Sequence, residues 1–240
     1  MKIEGSKILV TGGARRVGRV IVESLARRHA HVIVHYHQSA DDANSLATSL
    51  RAEGASVELI CANLEDQEAV SNLVNKWNDI DVLVNSAAIF PRTPLTQLTP
   101  EVWARTLSTN LTGPVFLAAQ LGQKMRASGR GVIVNITDCG IRRPYKNYLP
   151  YLVSKAGLEM ATQVLAIELA PEVRVVAVAP GTVLPPEDTS PRMRETLAKK
   201  SLLEKCGHPE NVAQAVIFAI ENDFLTATTI TVDGGTVLNL

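Results

Sequence analysis

A doubly wound α/β fold, with a seven-stranded parallel sheet and helices on both faces, is what the sequence predicts, and three observations predict it. Short apolar runs rich in Val and Ile alternate with longer amphipathic stretches from one end to the other, the sequence form of repeated βαβ units. The first run hands over to a helical pattern through the glycine-rich turn Thr11-Gly-Gly-Ala-Arg-Arg-Val-Gly18. A chain of 240 residues, 46% apolar and 20% charged, can bury one full core, so a single domain spanning 1–240 is expected.

Taken in order, the strand-like runs are Lys7 to Val10, His31 to Tyr36, Ser56 to Cys61, Asp81 to Val84, Gly131 to Ile136, Val173 to Val178 and Thr228 to Val232. Each is brief and rich in Val or Ile, as strands buried on both faces are. Amphipathic spacing predicts helices over Val17 to Arg28, Ala40 to Ala52, Pro100 to Ala127, Pro150 to Leu169 and Pro209 to Ile220. Three of these begin with proline, which first-turn geometry accepts. The least regular stretch, 181–204, carries Pro185, Pro186 and Pro191 among charged residues and is expected to form a flap over the site.

Composition narrows the partners. Lys+Arg and Asp+Glu balance at 24 each, so no global field holds nucleic acid or an anionic membrane. Cys61, Cys139 and Cys206 lack C-x-x-C spacing, which argues against a disulfide framework or a thiolate zinc site and for reduced thiols in a cytoplasm. Glu4 and Lys7 interrupt any signal-peptide pattern in Met1 to Val10, and no apolar run approaches the ~20 residues of a membrane helix.

The glycine turn sits where a strand meets a helix N-terminus. Unpaired N–H groups and a partial positive charge there suit a pyrophosphate, with Gly12 allowing close approach and Gly18 allowing close packing. An NAD site would place an acid at the end of the second strand, about 20 residues on. This chain has His35-Tyr-His-Gln-Ser39 instead. With no carboxylate to repel a 2'-phosphate, and Arg15, Arg16, His35, His37 and Ser39 as donors, the expected cofactor is NADPH, with NADP+ as its product. Ser39 can alternatively be a helix N-cap with Asp42 completing its capping box. A metal at His35 and His37 is disfavoured, since no neighbouring residue completes the coordination.

Tyr151 alone among the four tyrosines has a lysine four residues on, so Tyr151 and Lys155 share one helical face. A phenol donates protons well at neutral pH when a nearby cation stabilises its phenolate, the role expected of Lys155.

Together, Thr11-Gly12 with Gly18, Asn85, Asn110, Tyr151 with Lys155, Pro180-Gly181 and Asp233-Gly-Gly235 resemble the short-chain dehydrogenases/reductases. The resemblance covers essentially the whole chain. It implies that Asn110 holds a water relaying protons to Lys155, and that Lys155 also binds the nicotinamide ribose. It further implies that Asn63, Leu64, Asn85 and Ala87 line the adenosine side, that Pro180, Gly181 and Val183 meet the nicotinamide, and that the long helices build a homotetramer. Read without the resemblance, Asn110 is a helix-interior amide bonding local backbone.

Two departures point to the pteridine reductase branch. Arg16 stands at the usual second glycine, and Asp138 stands thirteen residues before the tyrosine in place of the usual serine. Thr-Gly-x-x-x-Arg-x-Gly, His35-Tyr-His with Ser39-Ala40, Phe90 and Thr93-Pro-Leu95 resemble the same branch, while Gln38, Ala88 and Ile89 depart from it. The resemblance implies that Arg16 touches cofactor phosphate and pterin, that Phe90 stacks on the pterin, and that Asp138 contacts its edge. Read otherwise, Asp138 is a loop carboxylate capping the chain near Cys139-Gly140, and Phe90 is a buried aromatic. The expected reaction is NADPH-dependent reduction of a dihydropterin to a tetrahydropterin by hydride transfer to a C=N bond, with dihydrofolate as a second substrate. The rivals are a carbonyl or 3-oxoacyl thioester reductase and a non-catalytic NADP(H)-sensing protein.

Overall fold

The computed structural model describes residues 1–77, 79–185 and 189–239. Its strands are β1 (Lys7–Thr11), β2 (His31–Tyr36), β3 (Ser56–Cys61), β4 (Val82–Asn85), β5 (Gly131–Ile136), β6 (Val173–Pro180) and β7 (Thr229–Val232). They pair in parallel in the order β3-β2-β1-β4-β5-β6-β7. The helices are α1 (Arg16–Ala26), α2 (Ala40–Ala52), α3 (Gln67–Lys76), α4 (Pro100–Leu107), α5 (Gly113–Ala127), α6 (Leu149–Leu169), α7 (Pro191–Ala198) and α8 (Pro209–Glu221). The chain winds outward from β1 to β3, then returns to β4 on the other side of β1. Between β1 and β4 the strand order therefore reverses, and ligands of open α/β sheets bind beyond the carboxyl ends of the strands at such a point.

The continuous apolar runs are divided by the pleat. Ile8 and Val10, Val32 and Val34, and Val82 and Val84 pack with α1, α2 and α8 on one face, while Leu9, Ile33 and Leu83 pack with α3, α5 and α6 on the other. Both faces are buried, which is why period-2 patterning is invisible in the sequence. A large side chain such as Leu83, fully buried here, contributes about 1.5–3 kcal/mol by leaving water, and Leu83→Ala would cost about 2–5 kcal/mol.

Helix starts follow local chemistry, with proline in the first turn of α4, α5, α6, α7 and α8. Asp66 accepts the Glu68 and Ala69 N–H groups to start α3, a helix not among those expected, which buries Val70, Leu73 and Val74. Three expectations change. The helix expected over Pro100 to Ala127 is interrupted at Ser108–Thr112 by a wider π turn. Pro114 has no N–H to give there, and a side chain on Gly113 would strike the Leu64 carbonyl at 2.3 Å. Ser39 stands at the N-cap of α2 but makes no cap bond, and Asp42 instead faces Arg15 at 3.6 Å. Finally, β4 and β6 run past their apolar stretches to Asn85 and Pro180, because the pairings Thr11 with Asn85 and Pro180 with Val232 continue the ladder through them. Among the described residues no helix is long and apolar enough to cross a membrane.

Candidate active site

At the reversal point the glycine turn is packed tightly against the loop after β4. Gly12 has φ +63°, and a Cβ on it would lie 2.8 Å from the Ala87 Cα. A Cβ on Gly18 would lie 2.2 Å from the Gly12 carbonyl oxygen, so the first turn of α1 rests on the turn itself. Thr11 Oγ1 accepts the N–H groups of Ser86 and Ala87 at 3.0 and 3.1 Å, tying β1 to that loop. Arg16 holds φ +52°, the left-handed conformation that explains why related turns use glycine here and that costs a side-chain-bearing residue about 1–2 kcal/mol. Its guanidinium donates to the Leu184 carbonyl at 2.7 Å, joining the turn to the segment after β6. Arg15 is exposed, and Val17 packs partly buried against the core.

The end of β2 differs from expectation. His37 is exposed and Ser39 half-buried, but His35 is only 2% exposed. Its Nδ1 accepts the Gly12 N–H at 3.2 Å and its Nε2 meets the Ala62 carbonyl at 3.1 Å. Burial pulls its pKa down to about 4, with a smaller push from His37 and an opposing pull from the Ala62 carbonyl. A neutral, buried ring with both nitrogens engaged has no donor left for a phosphate, so the expectation of a direct His35 contact is corrected. Asn85 is enclosed as well, with its Oδ1 buried and without a partner among the described residues. It is 1% exposed, and its amide donates to the Pro114 carbonyl and to Asn135 Oδ1 at 3.2 and 2.9 Å, bracing β4 to β5 and α5. Asn63 folds its Oδ1 onto the Glu65 N–H at 3.1 Å, and Leu64 is buried beneath Gly113. Gly181 donates its N–H to the Val232 carbonyl at 2.9 Å, with Pro180 ending β6 beside it and Val183 packed on the core. Of the expected flap, Pro186 lies outside the described residues.

At the other end, β5 delivers Asp138 and the first two turns of α6 deliver Tyr151 and Lys155. The Tyr151 hydroxyl donates to Asp138 Oδ2 at 2.8 Å, while Oδ1 accepts the Gly140 N–H at 2.7 Å. The capping and site readings of Asp138 therefore hold together, one on each oxygen. Lys155 is buried, donates to the Ile136 carbonyl at 2.7 Å, and sits 5.9 Å from the centre of the Tyr151 ring. Asn110, on the π turn, bonds neither local backbone nor a side chain. Its amide pairs with both the N–H and the carbonyl of Ile89, at 2.8 and 2.9 Å, and so suspends the loop that carries Phe90.

Burial and neighbours set the ionisation of this group. Burial raises the pKa of Asp138, opposed by the Gly140 N–H, the Tyr151 hydroxyl, the Lys155 charge and Tyr145. Burial also drives Tyr151 well above the ordinary phenol value, and the Asp138 charge adds to it. Lys155 comes down to about 8 by burial, with Asp138 pulling it back up. Tyr151 thus stands above rather than below the ordinary phenol value, with burial the larger cause and the Asp138 charge, at hydrogen-bond distance, the next. Cys139, next in sequence, is buried and pushed up to about 12, so it stays a thiol.

Phe90 is not the buried aromatic of the alternative reading. It is 48% exposed, stacked on Tyr148 with centroids 4.2 Å apart and 15° between planes, and edge-on to Tyr151 at 4.5 Å. Tyr145 completes the group, 5.3 Å from Tyr148 and 6.4 Å from Phe90. Neither Tyr145 nor Tyr148 belongs to a motif. The signal that could have found them is three tyrosines within seven residues of an otherwise aromatic-poor chain.

A dinucleotide turn facing a buried phenol and ammonium across strand ends is an arrangement suited to hydride exchange with a small molecule. Residues 12–237 match the family model described as Enoyl-(Acyl carrier protein) reductase. L-xylulose reductase of Bos taurus is 30% identical over 243 residues, covering 98% of each chain. The crystal structure of FolM alternative dihydrofolate reductase 1 from Brucella canis, complexed with NADP, superposes with a TM-score of 0.92 at 32% identity, covering 100% of this chain and 96% of that one. An actinorhodin polyketide ketoreductase variant with NADPH superposes at 0.89 and 25% identity, covering 97% of each chain. This chain belongs to the short-chain dehydrogenase/reductase family. Within that class it is an NAD(P)-dependent oxidoreductase.

Proposed function

We propose that the enzyme reduces a dihydropterin to a tetrahydropterin with NADPH, and dihydrofolate through the same ring. The observation that carries this reading is the Asp138 carboxylate set in an aromatic enclosure. Phe90, Tyr145, Tyr148 and Tyr151 are four of only ten Phe, Tyr and Trp residues in the chain. Flat rings suit a flat heterocycle, and a carboxylate suits its ring and amino N–H donors, where a simple ketone offers only an acceptor. The alternative dihydrofolate reductase name of the Brucella canis relative agrees with that choice.

The cofactor fits the other end of the site. Gly12 and Gly18 leave space that a side chain would fill. Arg15, Arg16, Val17, His37 and Ser39 border the turn and the end of β2, whose last residues carry no carboxylate, while Asp42 in the first turn of α2 faces Arg15. Asn63, Leu64 and Ala87 flank the adenosine half, and Pro180, Gly181 and Val183 the nicotinamide half. When bound, NADPH supplies the hydride to the carbon of the C=N bond. The nitrogen then takes one proton, and the Asp138–Tyr151 pair is its source. A carboxyl whose pKa burial raises can carry that proton itself or pass it through the phenol 2.8 Å away. Lys155, close to its own titration at neutral pH, refills the pair and binds ribose. Asn110 contributes by holding the Phe90 loop through both bonds of its amide to Ile89.

A carbonyl reductase is the second reading, favoured by the names L-xylulose reductase and polyketide ketoreductase among the relatives. A neutral Asp138 donates to a carbonyl oxygen as serine would, so its raised pKa keeps that chemistry open. NADPH oxidation measured with a dihydropterin, dihydrofolate and a 3-oxoacyl thioester side by side separates the two. We expect turnover of the pterins and its loss in Asp138→Ser; turnover confined to the thioester, or a variant indifferent to the change, would transfer the assignment to carbonyl reduction.

We also propose a cytoplasmic homotetramer, with the 181–204 stretch covering the substrate. Val153, Met160, Val164 and Ile167 on α6 and Phe116 on α5 form an exposed apolar face that a second copy would cover. Light scattering of the purified chain measures the mass directly.

A further inference from the structure

We infer that His35 is a positioning residue of the cofactor site: a strut that sets the glycine turn and the loop after β3 relative to each other while touching no cofactor itself. The inference rests on the reading that the glycine turn holds NADPH. The ring's two bonds determine its tautomer, since Nδ1 accepts the Gly12 N–H at 3.2 Å and Nε2 must then carry the proton donated to the Ala62 carbonyl at 3.1 Å. Main-chain bonds run parallel to them. Gly13 donates to the His35 carbonyl at 3.0 Å, and Ala62 donates to the Tyr36 carbonyl at 3.0 Å.

Three segments far apart in sequence are thereby locked at the carboxyl ends of β1, β2 and β3. Directly beyond Gly12-Gly13 come Arg15, Arg16 and Gly18; directly beyond Ala62 come Asn63 and Leu64. Both walls of the adenosine half thus hang from one imidazole. The interaction also removes the Gly12 N–H from the donors open to a pyrophosphate, leaving that task to the N–H groups that follow it in the turn. An apolar residue at 35 would strand a buried donor on Gly12 and a buried acceptor on Ala62, and both loops would move to regain partners. A rigid ring with an acceptor on one edge and a donor on the other spans this gap. Asparagine reproduces only the near, Gly12-facing acceptor, and glutamine only the far, Ala62-facing donor.

The experiment uses the full chain with His35→Leu, His35→Asn and His35→Gln. NADPH binding is followed by fluorescence, displacement by adenosine 2',5'-bisphosphate probes the adenosine half alone, and steady-state rates are measured at saturating NADPH. We expect His35→Leu to weaken NADPH and the bisphosphate together by about tenfold or more, the range in which one buried donor and one buried acceptor lose their partners. The KM for NADPH should rise in step, with kcat changing far less. His35→Asn should recover part of the loss by restoring the Gly12 bond, and His35→Gln less. Wild-type affinity in His35→Leu, or equal weakening in all three variants, would overturn the strut. Wild-type chain that binds neither NADPH nor the bisphosphate would instead bring down the cofactor reading, and the inference with it.

Discussion

The two ends of the site are built on opposite electrostatic plans. At the glycine-turn end, precision comes from backbone: two glycines whose side chains would collide, a threonine accepting two N–H groups, and a histidine kept neutral so that it can accept one. At the other end, Asp138 stands against the buried Tyr151 and Lys155, shifting the titration of each while both shift its own. Neutral scaffolding holds a ligand in place regardless of small changes in pH, whereas coupled ionisable groups make proton transfer possible and make it pH-dependent. The comparison teaches that burial serves both ends. It silences His35 and it energises Asp138.

Tyr151→Phe should break the comparison most sharply. Turnover should fall by about 10²–10⁴, while NADPH affinity stays at the wild-type value because the phenol acts at the other end; an equal loss of affinity would show that the two ends are not separable. The next effect is on stability. His35 titrates near 4 when folded and near its ordinary 6.5 when unfolded, so the unfolded chain binds the proton first as pH falls. Its contribution is therefore full above pH 6.5, is lost progressively down to about pH 4, and amounts to about 3 kcal/mol. Urea unfolding across that window should reveal the loss, and His35→Asn should flatten this part of the profile.

A smaller effect is expected at Arg16. Replacing it by glycine relieves the left-handed backbone and should raise stability by about 1 kcal/mol, while NADPH binding weakens because the guanidinium is gone; a variant that binds NADPH as well as wild type would remove Arg16 from the cofactor site. The smallest change belongs to Tyr145→Phe. Tyr145 lowers the pKa of Asp138 by interacting with its ionised form, so its loss lets that pKa climb. If neutral Asp138 is the acid, the pterin rate falls as pH rises through this titration, and the falling limb should move to higher pH in the variant. Movement to lower pH would sharpen the comparison differently, by assigning the limb to Lys155.

Much of this was legible beforehand for reasons that are local. Six of the seven strands end within a residue of where Val and Ile runs place them, because apolar β-rich runs between glycine and proline have few other uses. β4 and β6 overshoot at the carboxyl edge by one and two residues, where Asn85 and Pro180 extend the ladder with residues whose own preferences disfavour strands. A π turn inside the stretch 100–127 was hidden, since helix periodicity survives one widened turn and its cause lies in Leu64, far back in the chain. In the site, the glycine turn and the Tyr-Lys pair were readable because each is one contiguous motif. The inward aim of the His35 and Asn85 side chains was hidden because a polar residue at a strand end looks the same in sequence whether it faces ligand or interior.

What the sequence by itself determined is therefore the succession of the seven strands and of the helices other than α3 and α7, the glycine turn between β1 and α1, the absence of an acid at the end of β2, and the spacing that puts Tyr151 and Lys155 on one face. These depend on residues within a few positions of each other, where helix and strand periods govern geometry. Only the tertiary structure decided that His35 braces rather than binds, that Asn85 points into the interior, that Tyr145 and Tyr148 join Phe90, and that Tyr151 is raised rather than lowered. Each of those outcomes is set by partners brought from elsewhere in the chain to the same strand ends, and by how much water their packing excludes.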